Sequence, residues 1–349
     1  MIAASPGGGL ILRQERPSTR VHTSPRTMTA QHNKQRIPLV EVQELTSEMI
    51  RFVLRGTDTS LANALRRVII AEVPTIAIDL VEVVENSSCL CDEFIAHRLG
   101  LIPLISTKAT DMEFPYEYAG DDETKTDVQI DLRVKCASDQ TEEITSNDLI
   151  CVDEKVVPVG YSPTVRGKGA PGDETVPSDG SSQNASNGIL IVKLRKNQEV
   201  HLRCVARKGI GRDHAKWQPV ATAVYRFEPE ITIDENLMSQ LTEDEKRAFA
   251  VSSPAPVFKY NESTKKVEID TPESYAYDGE CLKKAEEMGV PGLVTINAKQ
   301  DAFVFTVEST GAIPPEDIVS RALEVLMRKL DITKSELDIV KGEQEAQGV

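Results

Sequence analysis

Hydrophobic and polar positions alternate along the chain with two different periods. Within residues 57–75, Leu61, Leu65, Val68 and Ile69 recur at i, i+4, i+7 and i+8, which places them on one face of a helix. Asn63, Arg66 and Arg67 fall largely on the opposite side. Asp58 or Ser60 can accept a bond from a free helix N–H and so cap the start. Pro74 has no N–H and disfavours helix at Val73, which predicts a stop near Glu72. Upstream, Leu39, Val40, Val42 and Leu45, then Met49, Ile50, Phe52 and Leu54, flank Thr46-Ser47-Glu48 and predict strand, turn, strand. Residues 75–84 alternate loosely and predict another strand. Val128, Ile130, Leu132, Val134 and Cys136 alternate strictly, the mark of a half-buried strand.

Further elements follow from local signals. Residues 91–104 predict a second helix, with Asp92 and Glu93 at its positive end, Gly100 at C′ and Pro103 preventing its renewal. Residues 158–188 are rich in Pro, Gly and Ser and poor in apolar groups, so they read as a flexible loop. The apolar runs 189–194 and 200–206 read as strands paired across a polar turn, and 220–227 as a further strand. Residues 229–298 read as a smaller inserted unit. There Thr242 and Glu245 form a capping box, and a helix over 280–288 ends at Gly289. A strand at 302–307 and a turn at 311–315 lead to a long helix from Glu316. Along it, Val319, Leu323, Leu326, Leu330, Thr333 and Leu337 step by four and three, beside a second row of Ile318, Ala322 and Val325. Packing on one sheet needs a single stripe, so the wider arc fits a helix that packs inward and also meets a partner, with a deeply buried helix as the alternative.

Composition narrows the functional classes. The 349 residues carry a net charge of −15, which opposes general binding to a phosphate backbone. No run of about 18 apolar residues suggests a membrane span. Residues 1–36 differ from the rest: Lys and Arg outnumber the single acid, Glu15. They read as a disordered basic tail or a region upstream of a true start at Met28, with an organelle transit peptide as the alternative. Six cysteines are spread at 89, 91, 136, 151, 204 and 281. Only Cys89 and Cys91 are close, and one CxC without a second hook is not a zinc site, so small buried thiols are expected. His97 beside Arg98 has no neighbouring nucleophile and reads as a hydrogen-bonded structural residue. The segment 207–217 is the most basic of the folded chain, with Lys208, Arg212, His214 and Lys216 before Trp217. It reads as a contact for an acidic partner surface or a phosphate, or as a solvated loop. No nucleophile elbow, HExxH, P-loop or dinucleotide fingerprint occurs, so no catalytic, cofactor or metal residue is assigned.

The blocks ANALRRVIIAEVPT (62–75), DEFIAHRLGLIPL (92–104), KGIGRDHAKWQP (208–219) and FVFTVESTGAIPPEDIV (303–319) resemble, in that order, the α-like subunits of cellular RNA polymerases. Within that family the wording is most similar to the RNA polymerase II type. The subunit type shared by polymerases I and III is the alternative, and a free-standing enzyme or regulatory adaptor is the alternative from another class. The resemblance runs from about Ile37 to about Leu337. It implies an α+β fold: a discontinuous dimerisation domain at 37–73 and 219–340, interrupted by a mainly-β insert domain at 74–218, with 341–349 as a tail. It implies a non-catalytic assembly subunit in the nucleus. Its partners would be a smaller α-like subunit, the second-largest polymerase subunit and small zinc-bearing subunits, with DNA reached only through the complex.

By the same resemblance, the helices at 60–72 and 316–335 would join a four-helix bundle with the smaller subunit. Leu61, Asn63, Leu65, Arg66, Arg67, Val319, Leu323, Leu326 and Leu330 would then face partners. Asp92, Glu93, His97 and Arg98 match the second block and would support the insert domain or a subunit contact. Many relatives carry a Cys-rich zinc loop after LIPL. Residues 105–127 here hold no Cys or His, so a metal-free loop is expected. Some archaeal relatives carry an iron–sulfur module at 229–298, but only Cys281 occurs there and a cluster needs about four ligands.

Overall fold

Strands β1 (Leu39–Leu45) and β2 (Met49–Arg55) form a hairpin whose turn is held by Thr46, and helix α1 (Thr59–Ala71) follows. The computed structural model describes residues 37–120, 122–161 and 188–347. The basic-tail reading of 1–36 and most of the 158–188 loop reading lie outside these residues. Asp58 caps α1 by accepting from Leu61 N at 3.0 Å. The inner stripe of Ala62, Leu65, Val68 and Ile69 is fully buried. A buried aliphatic side chain contributes about 1.5–3 kcal/mol and a cap about 1 kcal/mol, so packing rather than capping decides this helix.

The chain continues through β3 (Thr75–Asn86), α2 (Asp92–Gly100), β4 (Asp127–Lys135), β5 (Glu142–Thr145), β6 (Ile150–Cys151), β7 (Leu190–Leu194) and β8 (Glu199–Gly209). Then come β9 (Val220–Ile233), α3 (Glu235–Gln240), α4 (Glu243–Ala250), β10 (Phe258–Asn261), β11 (Lys266–Ile269), α5 (Glu280–Glu287), β12 (Val294–Ser309) and α6 (Pro315–Gln347). Two four-stranded antiparallel sheets organise these elements. One has the order β1-β2-β12-β9, so segments from residues 39–55 and 220–309 meet in it. The other has the order β3-β8-β4-β6, with β5 and β7 paired separately. Among the described residues this α+β arrangement has three apolar clusters. The first sheet packs α1 and α6 over Phe52, Phe303 and Phe305. Phe52 and Phe305 oppose each other across the ladder and stack at 4.9 Å. The second cluster lies between α2 and β3, β4, β7 and β8. The third gathers α3, α4, α5 and the hairpin β10–β11 around the outer ends of β9 and β12. The capping box at Thr242 and Glu245 forms as its sequence predicts.

Ser106 links the second cluster to the base of α6. It is completely buried. Its hydroxyl accepts from Ile76 N at 3.0 Å and donates to Leu104 O at 2.8 Å. Its N–H donates to Ala312 O at 2.8 Å, and Arg321 reaches its carbonyl at 3.5 Å.

Several sequence expectations are corrected. The 189–194 strand does not pair with 200–206: β7 pairs with β5, whereas β8 lies between β3 and β4. Asn197, in the expected turn, has φ +67° and donates its N–H to Cys136 O, which ties that turn to the end of β4. Gly100 is the last helical residue of α2 rather than C′, and Leu101 caps the helix without a left-handed residue. A Cβ at Gly100 would sit 3.4 Å from Ile78 O, an ordinary contact, so the packing of helix on strand does not itself require glycine. Helix α6 runs unbroken to Gln347, beyond the 316–335 span implied for it by the resemblance. Lacking Pro, that stretch has no strong stop, and Gly342 lies inside the helix.

Candidate subunit interface

The first candidate surface combines the outer sides of α1 and α6. On α1, Leu61 and Asn63 are half-buried, and Arg66 donates to Asn63 Oδ1 at 2.9 Å, which aims its guanidinium along the helix. Arg67 is exposed. Leu65 is a correction: it is 3% exposed and packs in the chain's own core, because it stands one turn from Ile69 on the inner stripe. On α6, Ile318 and Ala322 are fully buried, and Val319, Val325 and Leu326 pack at the edge of the same cluster. Leu323 is 41% exposed, Met327 63% and Leu330 61%, and Ile332, Leu337, Ile339 and Val340 are exposed beyond them. Lys329 reaches both carboxylate oxygens of Glu72 at 2.9 Å, joining α6 to the end of α1. The base of α6 is therefore packed inward, whereas a row of large apolar side chains further along is uncovered. Met327 and Ile332 lie off the four-three stripe, which is why periodicity alone missed them.

The second block is less of a free surface than its sequence suggests. Asp92 accepts from Asn86 Nδ2 at 2.7 Å and Glu93 is exposed. Arg98 donates to Leu190 O, tying α2 to β7, while its buried Nε has no partner among the described residues. His97 is exposed on α2, not enclosed in the fold. Phe94 and Leu101, each half exposed, share this helix side and were not singled out by sequence.

The basic segment divides. Lys208 turns inward, donates to Met112 O at 2.7 Å and lies 4.7 Å over Phe114. Burial holds its ammonium below the usual lysine range. The side chain of Lys216, 12% exposed, binds Asp79 at 2.6 Å and Ile78 O at 3.1 Å and stacks 4.3 Å over Trp217. Trp217 donates to Arg207 O at 3.1 Å and lies on Gly209, where a Cβ would come within 2.3 Å of the ring. His214 Nδ1 accepts from Lys216 N, so it caps the short turn leading to Trp217. Only Arg212 and His214 of the four basic side chains are exposed. Pattern counts charges but not their direction, so it overstated the basic surface here.

Among the described residues, no group of three or more His, Cys, Asp or Glu could hold a metal ion. No helix there is long and apolar enough to cross a membrane. Burial raises the Cys151 and Cys204 thiols to about 11 and about 12, far from the reactive range. Cys89 and Cys91 are exposed, unlike the buried thiols expected.

A helix pair packed on a sheet built from segments far apart in the chain, with one helix half uncovered, describes a module made for association. Residues 51–330 match the RNA polymerase Rpb3/Rpb11 dimerisation domain, and the chain belongs to that family as an Rpb3-like RNA polymerase subunit. It is 48% identical to subunit 3 of DNA-directed RNA polymerases II, IV and V of Arabidopsis thaliana, over 84% of this chain and 89% of that one. It is 44% identical to the DNA-directed RNA polymerase II subunit rpb3 of Dictyostelium discoideum, over 83% and 92%. It is also 36% identical to the RPAC1 subunit of human DNA-directed RNA polymerases I and III, over 82% and 81%.

Proposed function

We propose that this chain is a non-catalytic assembly subunit of a nuclear RNA polymerase of the polymerase II type. It pairs with a smaller α-like subunit through α6 and the outer side of α1. The pair docks the second-largest subunit and small zinc-bearing subunits. Residues 37–73 and 219–340 act as the dimerisation domain and 74–218 as the insert domain. Arg66 and Arg67 make charge-assisted bonds to carboxylates or carbonyls of the large subunit, for which the planar guanidinium fork is suited. Exposed Glu93 and His97 on α2, with Arg212 and His214, supply a second contact.

The observation that carries this reading is the uncovered row Leu323, Met327 and Leu330 on a helix whose base is locked by Ile318 and Ala322. Isolated apolar side chains are ordinary on a surface, but a continuous row on a helix marks an association face. The test is co-expression with the smaller α-like subunit, with gel filtration and mass spectrometry of the assembled complex. Leu330→Glu would place an unpaired charge in the contact and is expected to weaken pairing at least 100-fold, about 2.7 kcal/mol. The variant chain should itself keep its fold, because Leu330 is outside the core. An intact heterodimer would refute the assignment. Recovery of polymerase I and III large subunits, instead of those of polymerase II, would move the chain to the other subunit type.

A further inference from the structure

The unit built on the outer ends of β9 and β12 holds a gap between two strand edges. β9 ends its four-stranded sheet and β11 ends the hairpin β10–β11, so among the described residues each has one edge without a strand neighbour. The phase of the hydrogen bonds fixes which backbone groups face that gap. Asp234 N donates to Leu293 O at 3.0 Å, in the register that pairs Ile233 with Val294. In an antiparallel ladder the bonded pairs alternate, so Ile231 and Ile233 turn their N–H and C=O groups away from β12. Likewise Asp270 N donates to Val257 O at 2.9 Å, in the register that pairs Ile269 with Phe258. Val267 and Ile269 therefore turn their backbone groups away from β10. All four residues line one cavity of about 500 Å³, together with Met238 and Ser239 of α3.

The charges around the cavity are also selective. Lys246, Lys265 and Lys266 line it with only two carboxylates, Glu235 and Glu268. Glu235 is paired with Lys266 at 3.5 Å, and Glu268 accepts from Asn261 at 2.9 Å. Lys265 is itself paired with Glu243 at the start of α4, so among the described residues Lys246 is the one lysine of the three that no ion pair holds, beside an apolar floor.

We propose that this cavity binds an extended segment of a partner protein as an added β-strand, with apolar side chains alternating with acidic ones. Unpaired strand edges are templates for such addition: backbone bonds supply affinity, and alternate side chains supply selectivity. The apolar side chains would rest on Ile231, Met238 and Val267, and the carboxylates would reach Lys246 and compete with Glu243 and Glu235 for Lys265 and Lys266. Two outward residues on each edge match a segment of about four residues at about 3.3 Å per residue.

The test uses the full chain and fluorescence anisotropy. The probes are a labelled octapeptide alternating Val and Glu, its Val–Lys counterpart, and the Val–Glu peptide N-methylated at alternate residues. The Val–Glu peptide is expected to bind at least about tenfold more tightly than either control, a difference of about 1.4 kcal/mol. Ile269→Pro deletes one outward N–H while leaving the bonds to β10, since proline is tolerated at a sheet edge. It should lower affinity at least tenfold, while Ile269→Val should bind as the unaltered chain does. Lys246→Glu should abolish the preference for the acidic peptide. Unchanged Trp217 emission and circular dichroism would establish that each variant is folded. Absence of saturable binding, equal binding of the N-methylated peptide, or full binding by Ile269→Pro would each overturn the proposal. So would a concentration-dependent dimer lost in Ile269→Pro, which would make a second copy of the chain the occupant.

Discussion

Replacing Ser106 by alanine should loosen the junction between the β3 sheet and the base of α6. The serine hydroxyl is the acceptor for the Ile76 N–H at 3.0 Å, and Ile76 is itself buried. An orphaned buried donor costs about 1–3 kcal/mol, and loss of the 2.8 Å bond to Leu104 O removes about 1 kcal/mol more. The sum, about 2–4 kcal/mol, far exceeds the effect of removing an exposed hydroxyl. Trp217 is the chain's only tryptophan, and its carbonyl accepts from Thr75 Oγ1 at 2.8 Å, one residue from Ile76. Urea unfolding followed by its emission therefore reports on this junction. Ser320→Ala is the matched control, because that exposed hydroxyl bonds only within its own helix. The control should shift stability by less than about 0.5 kcal/mol. Hydrogen exchange should also rise at the Ile76 amide in the Ser106 variant. A Ser106→Ala effect no larger than that of Ser320→Ala, with the amide still protected, would refute the role given to this hydroxyl.

Two further outcomes can be checked with the same chain. Glu228, 6% exposed, is pushed upward by burial, but Arg55 and Lys299 outweigh this and hold its carboxyl below the ordinary value. A depressed folded pKa gives stability that is complete above the unfolded value of about 4.3 and lost as pH falls through the folded value. Glu228→Gln should therefore cost about 1–3 kcal/mol at pH 7, discounted because both cations are partly solvated. The gap should narrow as pH falls below the unfolded value and through the folded one in urea titrations, and a gap unchanged by acid would contradict the ion-pair origin. Gly209→Ala should push the Trp217 ring away, cost about 1–3 kcal/mol and shift its emission to the red; an unchanged spectrum would show that the ring does not rest on Gly209.

Helices with a single inner stripe were easily read from sequence, as were turns with strong chemistry. α1, the Thr242 capping box and the strict alternation of β4 are each dictated by neighbours in sequence. Strand partners were not. Alternation in β7 and β8 tells which side chains face the core, but not which strand lies alongside. A polar turn between two apolar runs resembles a hairpin until Asn197 is seen bonded to Cys136. The α1–α6 candidate surface was half legible. Leu323 and Leu330 stand out at helical spacing, yet Leu65 carries the same signal and is buried beneath its own helix. The orientation of Lys208 and Lys216 was illegible, because their acceptors Met112 and Asp79 come from about 100 residues or more away in sequence. The cavity beside β9 was equally hidden, since a free strand edge is a property of the assembled sheet.

Helix α6 has 33 residues, about 50 Å at 1.5 Å per residue, and its distal apolar row lies outside the chain's own core. Copies synthesised without whatever covers that row carry it into the crowded cell as sticky surface. Their survival is then set by the supply of the covering chain through mass action, more than by their own folding energy. Such a helix makes stoichiometry self-correcting: surplus copies are the ones presented to chaperones and proteases, and assembled copies are withdrawn from that triage.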